Sequence, residues 1–305
     1  MIAVLQVAAR HGRVFLLAGL AAGFFLPGLA AALRPWLPEM IACLLALTAY
    51  RIGPRAAIGG FADLRRSLAL VAIYQLVLPL AALAVLMAFG VAGHPLALAA
   101  ILMLAAPSVT GAPNFAILLG HDPAPALRLL VLGTAAMPVT VLPVLAFGPG
   151  LGSGAETASA ALRLLGVIAA AASLGFFIRY KTLREIPVAG QQALDGAASL
   201  LLGVVVVGLM SALGPAFSVN PASVLAWLAA AFVLNFGLQF AAAAVFGPRS
   251  ETPGWAIAAG NRNIALFLVA LPADITDPLL VFIGCYQVPM YLTPILLERL
   301  YRAHR

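Results

Sequence analysis

The chain has 305 residues, 64% hydrophobic and 9% charged, with a formal net charge of +7 and a mean hydropathy of +1.08. Soluble domains carry about 25% charged residues, so this composition excludes a water-soluble fold. The positive excess does not point to nucleic acid, because the arginines sit in short spacers between apolar runs, the distribution that orients membrane proteins.

Runs of about 20 apolar residues are long enough to span a bilayer, and ten can be drawn. The first covers 13–33, behind Arg10 and Arg13. A cleaved signal peptide ending at Ala30-Ala31-Ala32 competes with it, but the run exceeds a usual signal core. The second, 36–50, is short, and the third, 67–90, carries Gln75 and Pro79. The fourth, 95–120, is interrupted by Pro107, Gly111 and Pro113 among Ser108, Thr110 and Asn114. The fifth, 124–148, contains Pro138 and Pro143, and a polar, Gly-rich linker occupies 149–157. The remaining five are 158–179, 191–214, 221–246 with Asn235 and Gln239, 253–271 interrupted by Gly260-Asn261-Arg262-Asn263, and 278–298 with Pro289 and Pro294.

Basic residues test this division. With the N-terminus inside, one face carries Arg10, Arg13, Arg51, Arg55, Arg65, Arg66, Arg128, Arg179, Lys181, Arg184, Arg249, Arg299, Arg302 and Arg305. The other carries only Arg34 and Arg163, and Arg262 lies within a span. Such an asymmetry predicts both termini in the cytoplasm, with a bacterial inner membrane as the expected location.

The halves 1–148 and 158–305 share a pattern. Asn114 precedes Pro138 by 24 residues and Asn263 precedes Pro289 by 26, and each proline is followed by another five residues on. Two sets of five crossings insert with opposite orientation, so the pattern predicts an inverted repeat. Proline removes a backbone donor, and the groups freed at the breaks must face protein or a water-filled cavity. Exposed helix ends there offer partial charges to an ion or an anionic substrate. Kinks that serve only packing are the bland alternative. Gln75, Asn235 and Gln239 read either as lining or as interhelical hydrogen bonds, with structure favoured for Gln239.

Gln75-Leu76-Val77-Leu78-Pro79, the stretch from Pro107 to Asn114 with His121-Asp122 and Pro138, and Gly260 to Asn263 together resemble the bile acid:sodium symporter family. That family falls within a wider group that includes arsenite exporters and auxin-type carriers. The resemblance covers nearly the whole chain. It implies an all-α membrane protein with broken, crossing fourth and ninth helices. It also implies a panel of helices 1, 2, 6 and 7 beside a core of helices 3–5 and 8–10.

The ion sites that the resemblance implies are mostly missing. Where the family carries sodium ligands, this chain has Pro113, Ala126, Leu130, Ala258 and Arg262. Asn114 and Gln75 alone remain, and neutral amides without a carboxylate make a poor site for a hard cation. Arg262 lies nine residues from each predicted end of its segment, roughly 13 Å along a helix. A charge at that depth is costly and usually functional. It reads as a fixed stand-in for the cation or as a partner for an anionic substrate, with a purely structural bond to the broken backbone as the alternative. His121-Asp122 reads as a solvated helix end before a proton relay, and Asp195 as an interfacial residue.

The expected function is secondary transport of small organic anions by alternating access, not coupled to sodium at the family's usual positions. The candidate substrate-binding set is Gln75, Thr110, Asn114, Asn261, Arg262 and Asn263. The expected partners are the anion and the lipid bilayer, with no nucleic acid, cofactor or metal. A non-transporting sensor and a sodium-coupled symporter are the alternatives. An arsenite-type exporter expects a cysteine in the fourth segment, which has none. Enzyme chemistry lacks a motif: Cys43 and Cys285 fall within spans, and the histidines show no metal-binding spacing.

Overall fold

A computed structural model describes residues 2–53, 61–151, 154–182 and 186–302. Arg55, Arg184, Arg305, His304 and linker residues Gly152 and Ser153 lie outside the described residues, as do the side chains of Arg13, Asp63 and Arg302. Among the described residues the protein is helical throughout, and seven helices are long and apolar enough to cross a membrane. This is a multi-pass integral membrane protein.

In chain order the helices are α1 Ile2–Arg10, α2 Gly12–Phe25, α3 Pro27–Leu33, α4 Leu37–Ile52, α5 Phe61–Ala72, α6 Leu78–Ala88, α7 Pro95–Ala105, α8 Ala112–Leu118 and α9 Ala124–Phe147. The second half holds α10 Gly154–Thr182, α11 Val188–Leu209, α12 Leu213–Val219, α13 Pro221–Phe246, α14 Thr252–Gly260, α15 Phe267–Ala270, α16 Ala273–Thr276, α17 Leu280–Leu296 and α18 Glu298–Arg302. Long Ala/Leu runs favour the helical state. Prolines open α7 and α13 at the first turn, where the missing N–H is harmless. Gly53 and Gly247 close α4 and α13 in the left-handed region, with φ of 73° and 65°.

Three expected segments differ from plain spanning helices. The fourth is split into α7 and α8, and the ninth into α14, a single 3-10 turn over Ile264–Leu266, and α15. The first needs new boundaries. Helix begins at Ile2, turns at His11 and ends at Phe25, so Arg10 and Arg13 lie within it and not in a flank before residue 13. The break falls at Leu26–Pro27, because Pro27 has no N–H to extend the helix. The expected spacer at 34–35 falls in a single 3-10 turn over Arg34–Trp36, so helix runs from Pro27 to Ile52. Likewise α10 starts at Gly154, inside the expected linker.

Two groups of helices pack internally. Helices α1 to α4 pack with α10 and α11, while α5 to α9 pack with α13, α14 and α17. Small residues allow close contact in the first group. Gly196 of α11 lies against the Leu5 backbone, Gly19 against the Gly203 carbonyl, and Gly175 of α10 against the Ala46 carbonyl. Membrane helices associate through such close approach, since lipid provides no hydrophobic drive.

At one end of α4, Arg179 of α10 donates from Nη1 to the carbonyls of Tyr50 (2.9 Å) and Arg51 (2.6 Å). A cation at a helix C-terminus interacts favourably with the macrodipole. Arg179→Gln is expected to cost about 1 kcal/mol, read as a lower unfolding midpoint in detergent. At the other end of the same continuous helix, Arg34 pairs with Asp277.

Candidate functional site: a backbone crossing beside a cleft

The two broken segments meet backbone to backbone. Ser108 and Arg262 form an isolated antiparallel bridge. Val109 N donates to Asn261 O (2.8 Å), and Asn263 N donates to Pro107 O (2.8 Å). Prolines and glycine prevent the helix from supplying these bonds, and lipid cannot supply them. Each break therefore satisfies the other.

The C-terminal carbonyls of α7 and α14 converge on Arg262. Its Nε donates to Ala259 O (2.7 Å), its Nη1 donates to Ala106 O (3.0 Å), and its guanidinium carbon lies 5.0 Å from the Tyr74 ring centroid. Arg262 is 2% exposed. One guanidinium thus neutralises two negative helix ends and stacks on an aromatic face, as its planar fork permits.

Behind the crossing lies a buried polar network. Asn235 Nδ2 donates to Gly260 O (2.7 Å) and to Asn261 Oδ1 (3.3 Å), and Tyr286 Oη also donates to Gly260 O. Gln239 Nε2 donates to Asn235 Oδ1 (2.7 Å) and Thr293 Oγ1 (3.1 Å), and its Oε1 accepts from Tyr301 Oη (2.6 Å). Burial pushes the Tyr301 phenol up from its ordinary range, so it stays a donor. This is the structural role that sequence favoured for Gln239, and it extends to Asn235.

In front of the crossing is a cavity of about 460 Å³ between the two helix groups, walled by α1, α2, α4 and α11 on one side and α8, α9 and α17 on the other. Thr110 and Asn114 line its inner end. A smaller cavity of about 30 Å³ adjoins the crossing, with Thr110, Asn263 and Arg262 in its wall. Tyr291 lines both cavities, and its buried hydroxyl has no hydrogen-bond partner among the described residues. Ser108 Oγ and Arg262 Nη2 are likewise unpartnered.

The six candidate residues therefore divide. Thr110, Asn114 and Asn263 face cavities. Arg262 reaches the smaller one, but its guanidinium is committed to helix ends. Asn261 is fully buried in the network, donating to Ile257 O (2.9 Å). Gln75 lies in a π-turn over Ile73–Val77, accepts from Thr140 Oγ1 (3.1 Å), fits against Gly133 and lines neither cavity.

Of the positions at which the sequence resemblance expects sodium ligands, Pro113, Ala126, Leu130 and Ala258 are apolar and buried, and the fifth is Arg262. Among the described residues no three His, Cys, Asp or Glu side chains converge as a metal site would require. His121 Nε2 lies 3.1 Å from Tyr301 O, and Asp122 Oδ1 accepts from Ala124 N (2.9 Å) as a turn at the start of α9. Sequence reasoning missed Tyr291, and it placed Asp195 at an interface. Asp195 lines the large cavity in an ion pair with Arg51. An Arg and an Asp on different apolar helices were the available signal.

No protein-family model matches the chain, and no curated protein matches it.

Proposed function

We propose that the protein is a secondary transporter of small organic anions that works by alternating access. In this reading ten crossings form two inverted five-helix repeats. The group containing α5–α9 and α13–α17 moves against the group containing α1–α4, α10 and α11, and the substrate sits between them. The observation that carries the reading is the 460 Å³ cavity ending on Thr110 and Asn114, where two broken segments cross. Such breaks near the middle of the bilayer are where secondary transporters place their substrates.

Sodium coupling at the family's positions is not proposed. Four of them offer no side-chain oxygen, and a fixed cation already answers the helix ends that a metal would otherwise neutralise. The cavity runs toward Arg10, Arg51 and Asp195. That end is the expected cytoplasmic one, so the conformation reads as inward-open.

The test is uptake of a panel of radiolabelled carboxylates into proteoliposomes, with sodium, without sodium, and under an imposed pH gradient. At least one carboxylate is expected to accumulate equally with and without sodium. Asn114→Leu is expected to lower that uptake about tenfold, the loss of one substrate hydrogen bond in a partly desolvated site. Uptake that requires sodium would restore the ordinary symporter reading. No uptake of any anion would favour a sensor that keeps a transporter fold.

A further inference from the structure

The polar atoms that line the inner end of the large cavity are neutral, and Arg262 lines only the smaller cavity, with Nε and Nη1 bonded to helix ends. The charge that faces the cavity lies at its other end. Arg51, in the last turn of α4, donates from Nη2 to Asp195 Oδ2 (3.0 Å), and its Nε pairs with Oδ1. Arg10 lines the same end and makes no ion pair among the described residues. Two guanidinium groups against one carboxylate leave this end with a formal charge of about +1.

Depth can be read along two helices. Leu44 and Leu202 lie beside the crossing, in the walls of both cavities. Arg51 and Asp195 lie seven residues from them on α4 and α11, so both helices put the charged end about 10 Å from the crossing. Between the ends the walls are mostly apolar, including Leu16, Leu47, Leu130 and Ile295, and the hydroxyls of Thr48 and Ser199 are bonded to their own helices. Arg10 is the last residue of α1 and is exposed, so its guanidinium is open to a ligand at this end of the cavity.

We infer that Arg10 and Arg51, and not Arg262, form the anion-recognition site of this cavity, with Asp195 as an internal carboxylate that holds Arg51 until an organic anion displaces it. The ligand class is an organic carboxylate with an apolar body of about 10 Å and a hydrogen-bonding group at its far end for Thr110, Asn114 and Tyr291. The inference rests on the proposal that the cavity is the substrate route. The charge-assisted hydrogen bond that Arg51 Nη2 makes to Asp195 is one it would offer equally to a substrate carboxylate.

The experiment reads the cavity's charge without knowing the substrate. Thr48, one turn before Arg51 on the cavity wall, is changed to Cys in a Cys43→Ala background; Cys285 is buried. Anionic 2-sulfonatoethyl and cationic 2-(trimethylammonium)ethyl methanethiosulfonate are then compared, each rate divided by that reagent's rate with free 2-mercaptoethanol. The anionic reagent is expected to be favoured about tenfold, the lower end of what a charged cleft achieves. Arg10→Gln and Arg51→Gln each bring the ratio toward one, and Asp195→Asn raises it. A ratio at or below one in the otherwise unaltered protein overturns the inference, as does a ratio insensitive to both arginines or a cysteine that neither reagent reaches. If anion preference holds while no anion is taken up, the site stands in a non-transporting receptor. If uptake occurs without anion preference here, the transport proposal survives and this site does not.

Discussion

Arg262→Ala is expected to lower stability by about 3–6 kcal/mol, since two charge-assisted hydrogen bonds contribute about 1.5–3 kcal/mol each. The loss leaves Ala106 O and Ala259 O unanswered at two buried helix ends in a medium without water. Arg262→Lys is expected to recover only part of it, because an ammonium is a point donor that cannot span both ends as a planar fork does. The measurement is the unfolding midpoint in detergent, with millimolar guanidinium, methylammonium or sodium added. Guanidinium should raise the midpoint of the Ala variant and leave the unaltered protein unmoved. Full stability and sodium-independent uptake in Arg262→Gln would show that no fixed cation is needed. A strong sodium requirement in the unaltered protein would remove the idea that arginine stands in for a metal.

Gly260→Ala is the second large effect. A Cβ at this position would lie 2.2 Å from the Asn235 carbonyl oxygen and 2.4 Å from Gln239 Cγ. The first of these is backbone, so relief requires α13 to move away from α14. Overpacking of this kind costs about 1–3 kcal/mol, and the shift also strains the bonds from Asn235 and Tyr286 to Gly260 O. Loss of the folded fraction, seen as early elution of aggregate on size exclusion, is the expected outcome. Gly166→Ala and Gly237→Ala serve as controls, since nothing lies within 4 Å of either added carbon. Both should be neutral or stabilising by up to about 1 kcal/mol. Equal behaviour of all three variants would mean that α13 and α14 are not held as described.

The breaks were legible in the sequence because their cause is local. Pro107, Gly111 and Pro113 cannot sustain a helix, and Asn261-Arg262-Asn263 cannot face lipid. The direction each broken residue faces was not legible. Outside a regular helix no 3.6-residue period assigns sides, so Asn261 and Asn263, two positions apart, were grouped although one enters the buried network and the other faces a cavity. Gln75 was hidden differently: its π-turn rotates it onto Gly133 and Thr140.

The start of the first helix was misread for an electrostatic reason. Arg10-His11-Gly12-Arg13 has the composition of a flank, and only contact with the small residues of α11 and the cavity makes a helix through it tenable. The ion pair of Arg51 with Asp195 depends on helices 144 positions apart in the chain, beyond any local pattern.

The mutual bonding of the two breaks also bears on how the protein is made. Val109 N waits for Asn261 O, which is translated 152 residues later. At roughly 5–20 residues per second that is a delay of about 8–30 s. Throughout it the first half carries unmatched backbone groups that lipid will not accept, at several kcal/mol each. The segment from Pro95 to Leu118 must therefore be sheltered by the insertion machinery until the ribosome has delivered its counterpart. A chain cut short before Asn261 is a natural client for membrane quality control, since the end of the protein templates its middle.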